Sequence, residues 1–209
     1  MKKNKNQYGS WIFVGAIIVI PITVFSFVNW YQKQYHKLPV LFESNVRTAS
    51  FALTNQHGKL VTNNDVESKI QVVDFFFTHC PSICPKMTSN LKMVQEAFYN
   101  DSSVLINSFS IDPERDSSER LAIYAEQFKI KVGGWNLLTG SKKEIYRLAR
   151  KGFYVTATDG DGGPDDFIHS EKLVLVDSKG RIRGYYDGTD PSVIPVLIKD
   201  MIRLKKESD

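Results

Sequence analysis

Cysteine is almost absent from this chain: only Cys80 and Cys84 stand among its 209 residues, so all thiol chemistry is confined to one spot. Neither follows the apolar run near the start closely, which excludes a lipoprotein anchor. Acidic residues are missing from the first 37 positions, which carry Lys2, Lys3, Lys5, Lys33 and Lys37. Taking those five from the 27 basic residues leaves 22 against 23 acidic ones, so the overall charge of +4 belongs to the N-terminal stretch. A nucleic-acid binder carries its excess positive charge on the folded domain, and the near-neutral remainder argues against nucleic acid as a partner. Internal repeats and low-complexity segments are also missing, and no nucleophile motif organises the Ser, His and Asp residues.

What is present begins with an uncharged run from Trp11 to Val28. About 20 mainly apolar residues cross a bilayer, and Trp30 and Tyr31 suit its interface. Pro21 would kink such a helix but is tolerated there. Three lysines precede the run, predicting a cytoplasmic N-terminus and an exported C-terminal domain. The run is long for a signal-peptide core and no small-x-small cleavage site follows it, so an uncleaved single-pass anchor in the cytoplasmic (inner) membrane is expected. Export places the cysteines where a disulfide can persist.

Residues 31–42 read as a tether. Around Gln56-His57-Gly58-Lys59 two short apolar segments predict a hairpin. Ile70–Phe77 reads as a buried strand and the stretch from Pro85 as a helix, with Leu91, Val94 and Phe98 at helical spacing. A strand over Val104–Ile111, a helix opening at Ser117-Ser118-Glu119, a short strand over Trp135–Leu138 and a serine-capped helix over Ser141–Lys151 follow. The irregular Asp159–Asp166 segment starts like a calcium loop, but Gly163, Pro164 and Ser170 stand where ligands or the usual glycine are required, so it reads as a plain loop. Strands over Lys172–Asp177 and Arg181–Tyr186 and a helix over Pro191–Lys205 close the chain. Such alternation predicts an α/β sandwich on a mixed sheet, one domain behind one anchor.

Cys80 and Cys84 lie in Thr78-His79-Cys80-Pro81-Ser82-Ile83-Cys84-Pro85, between strand and helix. If that first turn is helical, the i,i+4 spacing sets both side chains on one face, about 5–6 Å apart at Cβ. That suits one bridging Cu(I) ion or, after a small shift, a disulfide. A helix N-terminus stabilises a thiolate, and thiolates select soft Cu(I). Two thiolates leave an open site that a third ligand, usually imidazole, would close. Of the four histidines, His36 falls in the tether and His57 at the hairpin tip. His79 would point away from Cys80 in an extended chain. His169, before the strand from Lys172, reads on spacing alone as an ordinary polar residue. Met87 and Met93 are soft donors near the thiols, yet read as core residues.

Together, Phe77-Thr-His-Cys-Pro-Ser-Ile-Cys-Pro85, Ser110-Ile-Asp-Pro-Glu-Arg-Asp116 and a histidine just before a strand–turn–strand unit resemble the Sco/SenC family of membrane-anchored copper proteins, over roughly Phe51 to Lys205. The resemblance implies a thioredoxin-like sandwich, decorated by the N-terminal β-hairpin read above, over residues 43–209; the chain's own pattern places a tail at 1–10, an anchor at 11–30 and a tether at 31–42 before it. It implies a copper site of Cys80, Cys84 and His169, holding Cu(I) or Cu(II). It also implies a metallochaperone that supplies the dinuclear copper centre of a membrane-bound respiratory cytochrome oxidase. The Asp112–Asp116 string reads as structural, with Pro113 fixing a turn and Asp116 or Ser117 capping a helix. The rival is a thiol–disulfide oxidoreductase using Cys80 and Cys84 as a redox pair on the same client's cysteines. Three residues between the thiols, and no proline just before the strand after His169, weaken that rival. A peroxidase arrangement is not seen.

Overall fold

A computed structural model describes residues 6–35, 37–41, 50–155 and 170–208, in two compact units, Met1–Lys37 and Leu38–Asp209. The first unit is one long helix, α1 (Asn6–Tyr35), with Pro21 inside it. Its segment Val14–Tyr31 carries no charged side chain and is long and apolar enough to cross a membrane.

In the second unit β1 (Ala52–Asn55) and β2 (Leu60–Thr62) form the predicted hairpin. Its turn is an Asx turn: Asn55 Oδ1 accepts from the N–H groups of His57 and Lys59, both at 3.0 Å. Gly58, at φ +72°, supplies the left-handed residue such a turn needs. A one-turn helix, α2 (Asn63–Val66), leads to β3 (Ile70–Phe76), followed by α3 (Ile83–Ala97), β4 (Val104–Ser110), α4 (Ser118–Gln127), β5 (Trp135–Thr139) and α5 (Lys142–Arg147). After the described residues resume come β6 (Lys172–Val176), β7 (Ile182–Asp187), a 3₁₀ turn and α6 (Ile194–Ser208).

The seven strands form one mixed sheet in the order β2-β1-β5-β4-β3-β6-β7. β3, β4 and β5 are parallel at its centre, and the two hairpins flank them antiparallel. All seven residues of both β3 and β4 are buried, which is why their sequences are rich in apolar residues on both faces rather than alternating, with Gln71, Asp74, Asn107, Ser108 and Ser110 as buried polar exceptions. One face carries Val72, Phe76, Ile106 and Leu175 beneath α3, α4 and α6, which contribute Leu91, Val94, Leu121, Leu197 and Met201. The other carries Val73, Phe75, Phe109 and Val174 under Ile145, Leu148 and Phe153. There Phe75, Phe109 and Phe153 pack with ring centroids 5.4 to 5.9 Å apart.

On that second face a line of side-chain amides crosses four strands. Asn55 Nδ2 donates to Asn136 Oδ1 (3.2 Å), Asn136 Nδ2 to Asn107 Oδ1 (3.0 Å) and Asn107 Nδ2 to Gln71 Oε1 (3.0 Å).

Two local expectations are revised. The helix expected over Ser141–Lys151 is α-helical only to Arg147 and continues as a π-helical turn over Leu148–Gly152, and Ser141 sits at the N-cap without a side-chain cap bond. The π turn lets Leu148, Ala149 and Phe153 all reach the core, at the cost of regular periodicity. Within the stretch read as a tether, α1 runs to Tyr35, and Leu38–Leu41 is hydrogen-bonded within the second unit.

Candidate metal centre

The dithiol lies where β3 ends at the edge of a helix start. β3 delivers Phe77 and Thr78 to the C-terminal end of the parallel strands, and the chain turns through Cys80 (N–H to the Phe77 carbonyl, 3.3 Å) before α3 begins. Cys80 therefore precedes the helix and only Cys84 is on it, so the i,i+4 geometry that a helical first turn would give does not apply. Ser82 occupies the N-cap but gives no side-chain cap bond. Cys80 Sγ takes that place instead, accepting the Cys84 N–H at 3.3 Å.

The two thiols, both free, differ in character. Burial alone would raise the Cys80 pKa, but the N–H groups of Cys84, Ser82 and Ile83 converge on its sulfur and hold it below the ordinary thiol value. Cys84 is buried, and desolvation drives its pKa far up, with the neighbouring Cys80 and Asp74 adding to the rise. Both line a cleft of about 330 Å³ with Phe75, Phe77, Ile83, Met87, Ile111 and the segment Ser170–Lys172. Met87 is buried at the cleft floor on α3, whereas Met93 is exposed.

The loop is fixed from beneath by Asp116. Its carboxylate, fully buried, accepts from the Thr78 N–H (3.0 Å), Thr78 Oγ1 (2.6 Å) and Ser110 Oγ (2.6 Å). Arg120 Nε donates to the same Thr78 hydroxyl at 3.2 Å. The helix-capping role expected of either Asp116 or Ser117 belongs to Ser117, whose Oγ accepts the Arg120 N–H. Asp112 is buried with Oδ2 unbonded, the Arg115 guanidinium lying 3.6 Å away. His79 is exposed, its Nδ1 3.1 Å from Thr78 Oγ1 and 3.8 Å from Asp116 Oδ1. His57 is exposed at the hairpin tip, and His36, His169 and the Asp159–Asp166 loop lie outside the described residues. Among the described residues no three His, Cys, Asp or Glu side chains gather into a metal site. The described donor set is thus two sulfurs in an open cleft, which suits a soft ion.

Sequence reasoning missed Asp74. Strand alternation places it on the same face as Val72 and Phe76, beneath α3. It is buried and bonded by Ser108 Oγ (2.5 Å), which in turn accepts from Trp135 Nε1 (2.9 Å). Burial raises its pKa to about 7, and the Ser108 bond offsets only part of that. The signal was available as an acid inside an otherwise apolar strand, Val72-Val73-Asp74-Phe75-Phe76.

Comparison with known proteins agrees with this geometry. The family model described as SCO1/SenC matches residues 42–203. The SCO1 protein homolog of Bacillus subtilis is 31% identical over 159 residues, covering 75% of this chain and 82% of that one. Among solved structures, BsSco, described as a member of the Sco family of cytochrome c oxidase assembly proteins with a disulfide switch, superposes with a TM-score of 0.69 at 30% identity, over 83% of this chain and 99% of that one. Bradyrhizobium japonicum ScoI with copper bound gives a TM-score of 0.59 at 26% identity, over 73% of this chain and 97% of that one. With the family match spanning most of its length, and the fold and dithiol loop in agreement, this chain belongs to the SCO1/SenC family.

Proposed function

We propose that this protein is a membrane-anchored copper metallochaperone that carries one copper ion on Cys80 and Cys84, with His169 as third ligand, to the dinuclear copper centre of a respiratory cytochrome oxidase. The observation that carries the reading is the dithiol itself. One thiol is poised as a thiolate by converging N–H groups and the other stands in the same open cleft, in a family with a copper-bound relative. α1 would hold the domain to the membrane with its N-terminus cytoplasmic, raising its effective concentration near a membrane-bound client. An open cleft lets incoming thiolates approach the cargo, and release then proceeds by ligand exchange with His169 leaving first.

The thiol asymmetry also favours a second reading. A low-pKa, half-exposed Cys80 beside a buried, high-pKa Cys84 is the arrangement of an attacking and a resolving thiol, as in a reductase of the client's disulfide. Anaerobic titration of the reduced full chain with Cu(I) decides between them. One tightly held ion per chain, lost in Cys80→Ala and Cys84→Ala and weakened at least about tenfold in His169→Ala, is the result expected of the chaperone. No binding, together with a readily formed and client-reactive Cys80–Cys84 disulfide, would replace it with the reductase.

A further inference from the structure

Arg183, on β7, is buried, and each of its guanidinium nitrogens is engaged. Nη1 donates to Asp177 Oδ2 (2.9 Å), Nη2 to Glu207 Oε2 (2.7 Å) and to the Leu38 carbonyl, and Nε to the Pro39 carbonyl (3.1 Å). Glu207 completes the ring by accepting the Leu38 N–H through Oε1 (3.0 Å). Leu41 N–H then donates to the Ile182 carbonyl (3.0 Å), running alongside the outer edge of β7, and Leu38 packs on the core beneath α6. A buried guanidinium needs several acceptors, and here two are main-chain carbonyls of a segment that has no secondary structure of its own.

The strand registers fix where this happens. Ile182 pairs with Val176, and Val176 with Gln71 at the start of β3, whereas the dithiol loop leaves β3 after Phe76. Six residues of strand separate the two levels, roughly 20 Å at about 3.3 Å per residue. We infer that Leu38–Leu41 is a docked strap, clasped by Arg183 and Glu207, that brings the chain into the domain at the end of the sheet opposite Cys80. The strap end is closed by the protein's own N-terminal segment. The dithiol end is left to a partner that offers soft sulfur or nitrogen donors end-on, which deepens the proposed function without resting on the identity of the metal.

Trypsin tests the clasp, because the Lys37–Leu38 bond it would cut has its Leu38 N–H held by Glu207. In the full chain, cleavage at Lys37 is expected to be slow and to quicken roughly ten- to hundredfold in Arg183→Gln and in Glu207→Ala, the domain still melting cooperatively. Glu207 lies near the end of α6, so its variant keeps the test open if Arg183→Gln fails to fold. Equal rates in wild type and Glu207→Ala would overturn the clasp. Spin labels on Cys80 and on Val40→Cys, in a Cys84→Ser background, test the placement. One narrow distance of roughly 20 Å or more, broadened by Glu207→Ala, is expected. A peak well below that would overturn the assignment to opposite ends. Neither result depends on copper binding, so the strap and the chaperone reading stand or fall separately.

Discussion

At the scale of single residues, Asp74 and Asp116 show two opposite uses of a buried carboxylate. Asp74 is held without a charged partner among its hydrogen bonds, and its pKa rises from 3.8 to about 7. The folded state therefore keeps a proton that the unfolded chain gives up near pH 4. The associated stability is fully present below about pH 4 and is lost progressively as pH rises to about 7, on the order of 4 kcal/mol in all. Asp74→Asn should flatten that slope and melt above wild type at pH 8, as read by denaturation at a series of pH values. A wild-type stability flat from pH 4 to 7 would count against it. Asp116 instead satisfies three donors, two of them from Thr78. Asp116→Ala strands these donors and should cost about 2–4 kcal/mol, with amide exchange at Thr78 accelerating and Cu(I) affinity falling together. Unchanged exchange at Thr78 would deny it the positioning role. Asp74 stands out in the chain as an acid within an apolar strand, whereas the role of Asp116 could not be read from it. Asp116 and Thr78 are 38 residues apart, and only the parallel pairing of β3 with β4 brings Ser110 and the residues after it beside the dithiol loop.

Among elements, α3 is the one that ties the core to the chemistry. Cys84, Met87, Leu91 and Val94 recur along one face, so the helix that buries Leu91 and Val94 also aims Cys84 into the cleft. Leu91→Ala, at a fully buried site, should cost about 2–5 kcal/mol in urea unfolding and loosen the cleft with it. A loss under 1 kcal/mol would mean that the helix packs less tightly than its burial implies. This helix was legible from Leu91 and Val94, as β3 and β4 were from their apolar runs and the first hairpin from Gln56-His57-Gly58-Lys59. Its start was not, because Pro85 drew attention to a conventional first turn while the cap comes from the Cys80 sulfur. The π turn after α5 was equally hidden, since Leu148, Ala149 and Phe153 fit no single helical period. Residues Leu38–Leu41 read as tether because Leu-Pro-Val-Leu carries no pattern; their partners, Arg183 and Glu207, lie over 140 residues downstream.

For the molecule as a whole, the strap makes the domain's stability depend on where its chain begins. Removing residues 1–36 should leave the domain's melting temperature nearly unchanged, whereas removing 1–41 strips Arg183 of two carbonyls. A loss of about 1–3 kcal/mol then lowers the melting temperature by roughly 3–10 °C, measurable by calorimetry. Equal melting temperatures would show that the strap contributes nothing to the fold. The line of amides from Asn55 through Asn136 and Asn107 to Gln71 acts on a different quantity. Its bonds close only when β1, β5, β4 and β3 lie in their native order and register. A one-residue slip would turn each amide to the opposite face and bury it unpaired. Aliphatic side chains of similar size would tolerate such slips far better. The ladder therefore works as a proofreading device during folding: it penalises misaligned sheets more than it strengthens the correct one, and so protects the chain from being trapped in compact but wrong arrangements.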